Sequence, residues 1–269
     1  MEFKLGFIGA GNMGGAMLRA AAKSVDPKKI AVFDADPAQL KKTQAEVGVI
    51  GVSGAAEIAE KCEYIVIAVK PHIVESVCKE MAPVLKKRKD DFTIITMAAG
   101  VTIEKFRSYI GKDYRIIRIM PNTPALVGEG MIVYFGSENV TEEHFNEFLD
   151  MFKAAGKFDK TEERLVDAIA CTSGSGPAFV CMFAEALADG VVACGVPRKK
   201  ALEYTAQMIY GTAKMIMETG DHPELLKDNV CSPGGTTIQG VRMLEKGGMR
   251  SSVIEAVIAT YDKTSKLVK

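Results

Sequence analysis

The sequence has no excess of either charge: Lys plus Arg and Asp plus Glu each number 34 in 269 residues, for a formal net charge of +0. No run of five or more like charges occurs, and the nearest, KKRKDD at 86–91, is closed by two acids and reads as a solvated helix end. Without a basic stripe there is no footprint for a polyanion, so nucleic acid is not expected as a partner. The six cysteines (62, 78, 171, 181, 194 and 231) form no CxxC pair and no His/Cys zinc spacing. They read as reduced thiols of a cytoplasmic protein, and no metal site is expected. Only three histidines are present; His72 follows Lys70-Pro71, His144 and His222 lie in polar segments, and none is expected to be catalytic. The N-terminal MEFKLGFIGAG passes directly into an apolar run, unlike an export leader. The most membrane-like stretch, AFVCMFAEALADGVVACGV, carries Glu185 and Asp189 four apart on one helical face, which lipid would penalise. A buried helix is expected there, with no membrane association.

A hydrophobic fraction of 48% and a charged fraction of 25% suit a globular chain able to bury a core. The first half alternates β-rich runs (FKLGFIG, IAVFD, YIVIAV, FTIITM, RIIRIM) with amphipathic segments, the pattern of right-handed βαβ units in a parallel sheet. Asp36-Pro37 and Thr102 read as helix starts, and MIVYFG and KFDK as closing strands. Beyond them only helical patterns remain. The expected fold is α/β: a Rossmann-like, doubly wound parallel sheet over 1–161, followed by an all-α dimerisation and substrate-binding domain over 162–269. The segment from Pro177 to Cys194 is apolar nearly all round, which predicts a homodimer formed through these helices.

Two glycine-rich turns carry the chemistry. GFIGAGNMGGAM places Gly9, Gly11 and Gly14 as GxGxxG between a strand and a helix from Asn12. Gly9 would make the tight turn, Gly11 would admit a pyrophosphate, and Gly14 would let helix and strand pack closely. Ala10, Asn12 and Met13 complete this candidate cofactor loop, whose free N–H groups would hold phosphates. Asp34, 23 residues after Gly11, falls where a carboxylate takes the adenine ribose hydroxyls of NAD and would repel the 2′-phosphate of NADP. The alternative is that Asp34 turns away and Asp36 merely caps a helix.

The second turn, SPGGTT at 232–237, reads as a helix start with Ser232 as cap and Pro233 first, so that Gly234, Gly235 and Thr236 occupy the first turn. Bare amides there would make a cradle for a small carboxylate, flanked by the hydroxyls of Thr236 and Thr237. An ordinary capped helix with a flexible start is the competing reading.

The blocks FIGAGNMG, AVKPH (68–72), MAAGVTI (97–103), RIMPNTP (118–124), SGSGPAF (173–179) and LKDNVCSPGGTTIQGVRMLEKGGMR (226–250) together resemble the pyrroline-5-carboxylate reductases over nearly the whole chain. The resemblance implies hydride transfer from NAD(P)H to the cyclic imine of 1-pyrroline-5-carboxylate, giving L-proline, in dimers that often assemble into decamers. It implies that Ser232 to Thr237 hold the substrate carboxylate, that the Thr237 hydroxyl bonds the ring nitrogen, and that Asn229 reaches toward cofactor and substrate. Ala68, Lys70, Pro71 and Ala99 would line the cofactor. The family usually prefers NADPH, and many members carry small polar residues where this chain has Asp34 to Asp36, and an Asn at the position of Ala55; NADH and NADPH both stay open. β-Hydroxyacid dehydrogenases resemble the same layout but use a lysine where this chain has Val180, and a non-catalytic NAD(P) sensor would not need the second cradle.

Overall fold

The computed structural model describes residues 1–267, with side chains through Thr264. Eight strands form one sheet: β1 (Phe3–Ile8), β2 (Ile30–Phe33), β3 (Ile50–Gly51), β4 (Cys62–Ile67), β5 (Thr93–Thr96), β6 (Ile116–Met120), β7 (Gly130–Gly136) and β8 (Gly156–Lys160). Their order is β3-β2-β1-β4-β5-β6-β7-β8. Helices α1 (Asn12–Ala21), α2 (Pro37–Val47), α3 (Ala55–Lys61), α4 (Pro71–Leu85) and α5 (Ile103–Ile110) connect the first six strands, and α6 (Glu142–Phe152) joins β7 to β8. The starts follow local chemistry: Asp36 accepts from the Ala38 N–H ahead of Pro37, and Thr102 from the Lys105 N–H.

The chain winds from β1 outward to β3, then crosses back to β4 on the other side of β1. The sheet order therefore reverses between β1 and β4, where Ile8 pairs with Ile67 at the strand ends. Such a reversal opens a crevice beyond the carboxyl ends of the strands, the usual ligand position in open α/β sheets. The period-2 alternation divides the core between the two faces. Leu5, Phe7, Tyr64 and Val66 pack under α1 and α6, while Ile8, Ile65 and Ile67 pack under α3, α4 and α5. Burial pushes the Cys62 and Cys78 thiols up to about 12, so both serve as small apolar fillers.

Two strand features depart from the sequence expectation. β6 and β7 are antiparallel, whereas every other pair is parallel. Their connection holds only the 3-10 turn Thr123–Val127, too short for a crossover that would restore parallel direction. The sheet is therefore mixed. The two-residue β3 had no visible signal, because so short a run has no period to read.

Helix α7 (Glu163–Ser173) is held by a partly buried ion network. Arg118, on β6 and fully buried, places Nη2 2.7 Å from Asp167 and Nη1 3.3 Å from Glu163. Glu163 also accepts the Ile103 N–H at 2.8 Å, joining α7 to the start of α5. Asn122 donates to the Ser173 carbonyl and accepts from Met131 N–H, both at 2.9 Å.

By its internal contacts the chain divides into Met1–Gly174 with the chain end from Tyr261, and Ser175–Thr260. The second unit contains α8 (Gly176–Ala193), α9 (Arg198–Thr219), α10 (Pro223–Val230), α11 (Thr236–Lys246) and most of α12 (Met249–Leu267). No strand follows Lys160 among the described residues. Of α8 only Ala188 is buried, and Met182 is 70% exposed. The helical run Glu163–Ala193 is long and apolar enough to cross a membrane by length and composition. Asp189 on that run is ion-paired with Arg198.

Candidate functional site

At the end of β1 the backbone makes the turn that three glycines permit, each for a different reason. Gly9 has φ +98°, and a Cβ there would lie 2.8 Å from the Ala68 carbonyl oxygen. Gly14 meets the Gly9 carbonyl and the Ala68 methyl group, so that any side chain would push α1 away from β4. Gly11 has nothing within 4 Å of its absent side chain. The space it keeps clear belongs to a cleft of about 680 Å³. Gly11 is the N-cap of α1 and no side chain caps it. Among the described residues nothing accepts from the N–H groups of Gly11, Asn12 or Met13. Unpartnered amides at a helix start, beside a cleared space, suit a diphosphate.

Gly9, Gly11, Asn12, Met13, Asp34, Ala68, Lys70, Pro71 and Ala99 all line this cleft, together with Phe33, Ala35, Ile73 and Met97, which sequence reasoning did not single out. Their common signal is position: each lies at the carboxyl end of a strand or at the helix start after it. Ala10 and Gly14 are buried behind the loop. Asp34 does not turn away. Its Oδ2 accepts the Ala10 N–H at 2.7 Å and its Oδ1 the Asp36 N–H at 2.9 Å. Asp36 separately caps α2, while Asp34 lines the cleft instead of turning away from it.

The second glycine turn differs from its sequence reading. Helix α11 begins at Thr236 with Gly235 as N-cap, and Ser232 is not the cap. Ser232 to Gly235 instead form a β-turn closed by Gly235 N–H to the Ser232 carbonyl at 3.0 Å. Gly234 has φ +68° at the third position, behind Pro233, a left-handed conformation that an α-helix cannot contain. A Cβ on Gly235 would collide with the Ser232 hydroxyl and approach its carbonyl to 3.0 Å. The glycines therefore serve the turn before the helix and leave its first amides bare. Among the described residues nothing accepts from the N–H groups of Thr236, Thr237 or Ile238. Thr236 and Thr237 are exposed, as is Asn229 in the last turn of α10. These residues gather at the α10–α11 connection within the second unit.

Residues 163–267 match the family model described as pyrroline-5-carboxylate reductase dimerisation, and residues 4–100 match NADP oxidoreductase coenzyme F420-dependent. The pyrroline-5-carboxylate reductase of Escherichia coli K12 is 42% identical over all of both chains. The chain belongs to the pyrroline-5-carboxylate reductase family. The Glycine max reductase is 39% identical over 99% of this chain and 96% of its own. Among solved structures, Plasmodium falciparum pyrroline carboxylate reductase with NADP bound superposes with a TM-score of 0.89, at 32% identity and complete coverage of both chains. The Coxiella burnetii enzyme gives 0.88 at 32% identity, again over both full chains.

This reductase is thus an NAD(P)H-dependent oxidoreductase that converts 1-pyrroline-5-carboxylate to proline. Its homodimer forms through the C-terminal helices, which accounts for the apolar surface of α8 left bare in a single chain.

Proposed function

We propose that the cleft of the first unit holds the dinucleotide and that the α10–α11 turn holds the carboxylate of 1-pyrroline-5-carboxylate. The observation carrying this division is the pair of glycine-bared helix starts, each with three unpartnered amides, one opening on the cleft and one on a turn with free hydroxyls. The amides of Gly11, Asn12 and Met13 hold the phosphates, Asp34 meets the adenine ribose hydroxyls, and Ala68, Lys70, Pro71 and Ala99 form the wall. Gly9 and Gly14 set the loop, and Ala10 supports it from behind. Bound there, the reduced nicotinamide supplies hydride. In the second unit the Thr236, Thr237 and Ile238 amides, with the Ser232 hydroxyl, take the carboxylate, favoured by the helix dipole. Gly234 and Gly235 keep that approach open. The Thr237 hydroxyl bonds the ring nitrogen and turns the double bond toward the hydride donor, while Asn229 reaches toward both ligands.

No histidine or carboxylic acid is assigned to proton donation. A cyclic imine is basic enough to be partly protonated near neutral pH, so orientation is the larger demand. We further propose a dimerisation domain from residue 162, a reading supported by the family match beginning at 163. Assembly beyond the dimer, as far as a decamer, and a cytoplasmic location belong to the same reading, with neither nucleic acid nor membrane as partner.

Thr237→Ala tests the central assignment. Turnover should fall by about 100-fold, the scale of a misplaced reactant, while the Michaelis constant for the dinucleotide stays within about twofold. Equal losses in both would count against a role at the imine.

A further inference from the structure

We propose that Gln39 is a positioning residue for the cofactor: acting through Ala10, it fixes the glycine loop, and with Asp34 it ties loop geometry and cofactor choice to one clamp. The proposal rests on the reading that the cleft beside Gly11 holds a dinucleotide. Ala10 stands between two glycines whose backbone has little rigidity of its own. Both of its main-chain groups are gripped by side chains of the β2–α2 segment. Its N–H donates to Asp34 Oδ2 at 2.7 Å, and its carbonyl accepts from Gln39 Nε2 at 2.6 Å.

Gln39 lies in the first turn of α2 and is itself held one turn on. Its Nε2 donates to Thr43 Oγ1 at 3.3 Å, while that hydroxyl donates to the Gln39 carbonyl at 2.9 Å. Thr43 is fully buried. Turning the Gln39 amide over would set its oxygen against the Ala10 carbonyl, so the amide has one satisfactory orientation. The grip matters because the next three amides, Gly11 to Met13, are the ones left open for phosphate.

Asp34 completes the clamp and adds selectivity. Each carboxylate oxygen accepts one main-chain N–H and keeps lone-pair capacity for a ribose diol. No Lys or Arg occurs from Asp34 through Leu40. A 2′-phosphate there would face the Asp34 carboxylate with no cation from this segment to offset it, which favours NADH over NADPH. Gln39 is neutral and acts on the loop alone, so its removal should weaken both cofactors alike.

The test uses Gln39→Met, which keeps length and loses the donor, and Thr43→Val, which keeps shape and loses the hydroxyl that orients Gln39. For Gln39→Met the Michaelis constants of NADH and NADPH should rise by the same factor, about fivefold, with turnover at saturation unchanged. Thr43→Val should give a smaller rise of the same pattern. Asp34→Ser should raise the NADPH-to-NADH efficiency ratio about tenfold, a ratio that Gln39→Met leaves alone. Dissociation constants from calorimetry, at a temperature where circular dichroism shows every variant folded, should repeat these factors. Unchanged constants in Gln39→Met, a loss confined to one cofactor, or a loss in turnover alone would overturn the proposal. Failure of the unaltered protein to bind either dinucleotide would instead overturn the assignment of the cleft.

Discussion

The two units of the chain are built to different degrees of completeness. In the first, both faces of the sheet are covered, and Phe7, Tyr64, Phe106 and Phe148 are almost wholly shielded from water within one chain. In the second, burial in α8 to α11 is confined to Ala188, Ala201, Thr205 and Leu226. A helix apolar all round needs neighbours on every side, and the single chain does not provide them. The sheet-bearing unit is therefore a finished fold, whereas the helical unit is one half of a core that a second copy completes.

That contrast can be broken at several points. The largest effect is expected from Met182→Lys, whose side chain is 70% exposed in one chain and would be harmless if it faced water. Covered by a partner, an unpaired ammonium costs several kcal/mol, and symmetry places it in the interface twice. The dimer dissociation constant should rise at least about a thousandfold, as read by light scattering on a dilution series. In the first unit, Arg118→Met leaves Glu163 and Asp167 without their cation and should lower unfolding stability by about 3–5 kcal/mol in urea titrations. Its dimer constant should change far less than that of Met182→Lys. Gly9→Ala forces φ +98° on an alanine and crowds the Ala68 carbonyl; about 1–3 kcal/mol should be lost, with weakened dinucleotide binding by calorimetry.

The smallest effect concerns pH. Glu57 is held down to about 2, chiefly by the Ser53 N–H, then by the Ser53 hydroxyl and Lys61. A lowered folded-state value means its contribution is present above its ordinary value of 4.5 and fades as pH falls through about 2. Glu57→Gln should therefore slightly flatten the fall in thermal midpoint between those limits and leave the dimer constant at neutral pH unaltered.

Much of the first unit was legible because its signals are local. The glycine spacing, the Asp36-Pro37 start, the Thr102 cap and the strand–helix alternation each depend on neighbours within a turn or two. What escaped depends on distant partners. Nothing near Gln39 announces a bond to a carbonyl 29 residues earlier. Arg118 raises the question, since a lone cation in the strand IIRIM must be paired if buried, but its acids lie 45 and 49 residues away. The start of α11 was misplaced because Ser-Pro-Gly-Gly is equally good chemistry for a helix cap and for a β-turn. The left-handed Gly234 decided between them.

The margins of the sheet carry a consequence for how copies of the chain can meet. One margin, β3, is two residues long, too short to template another strand; the other, β8, reads Gly-Lys-Phe-Asp-Lys, with Lys157, Asp159 and Lys160 exposed. Charges and brevity are the usual protections against strand-to-strand growth. Crowded copies are thereby steered away from ribbon-like aggregation, leaving helical surfaces as their open route to association.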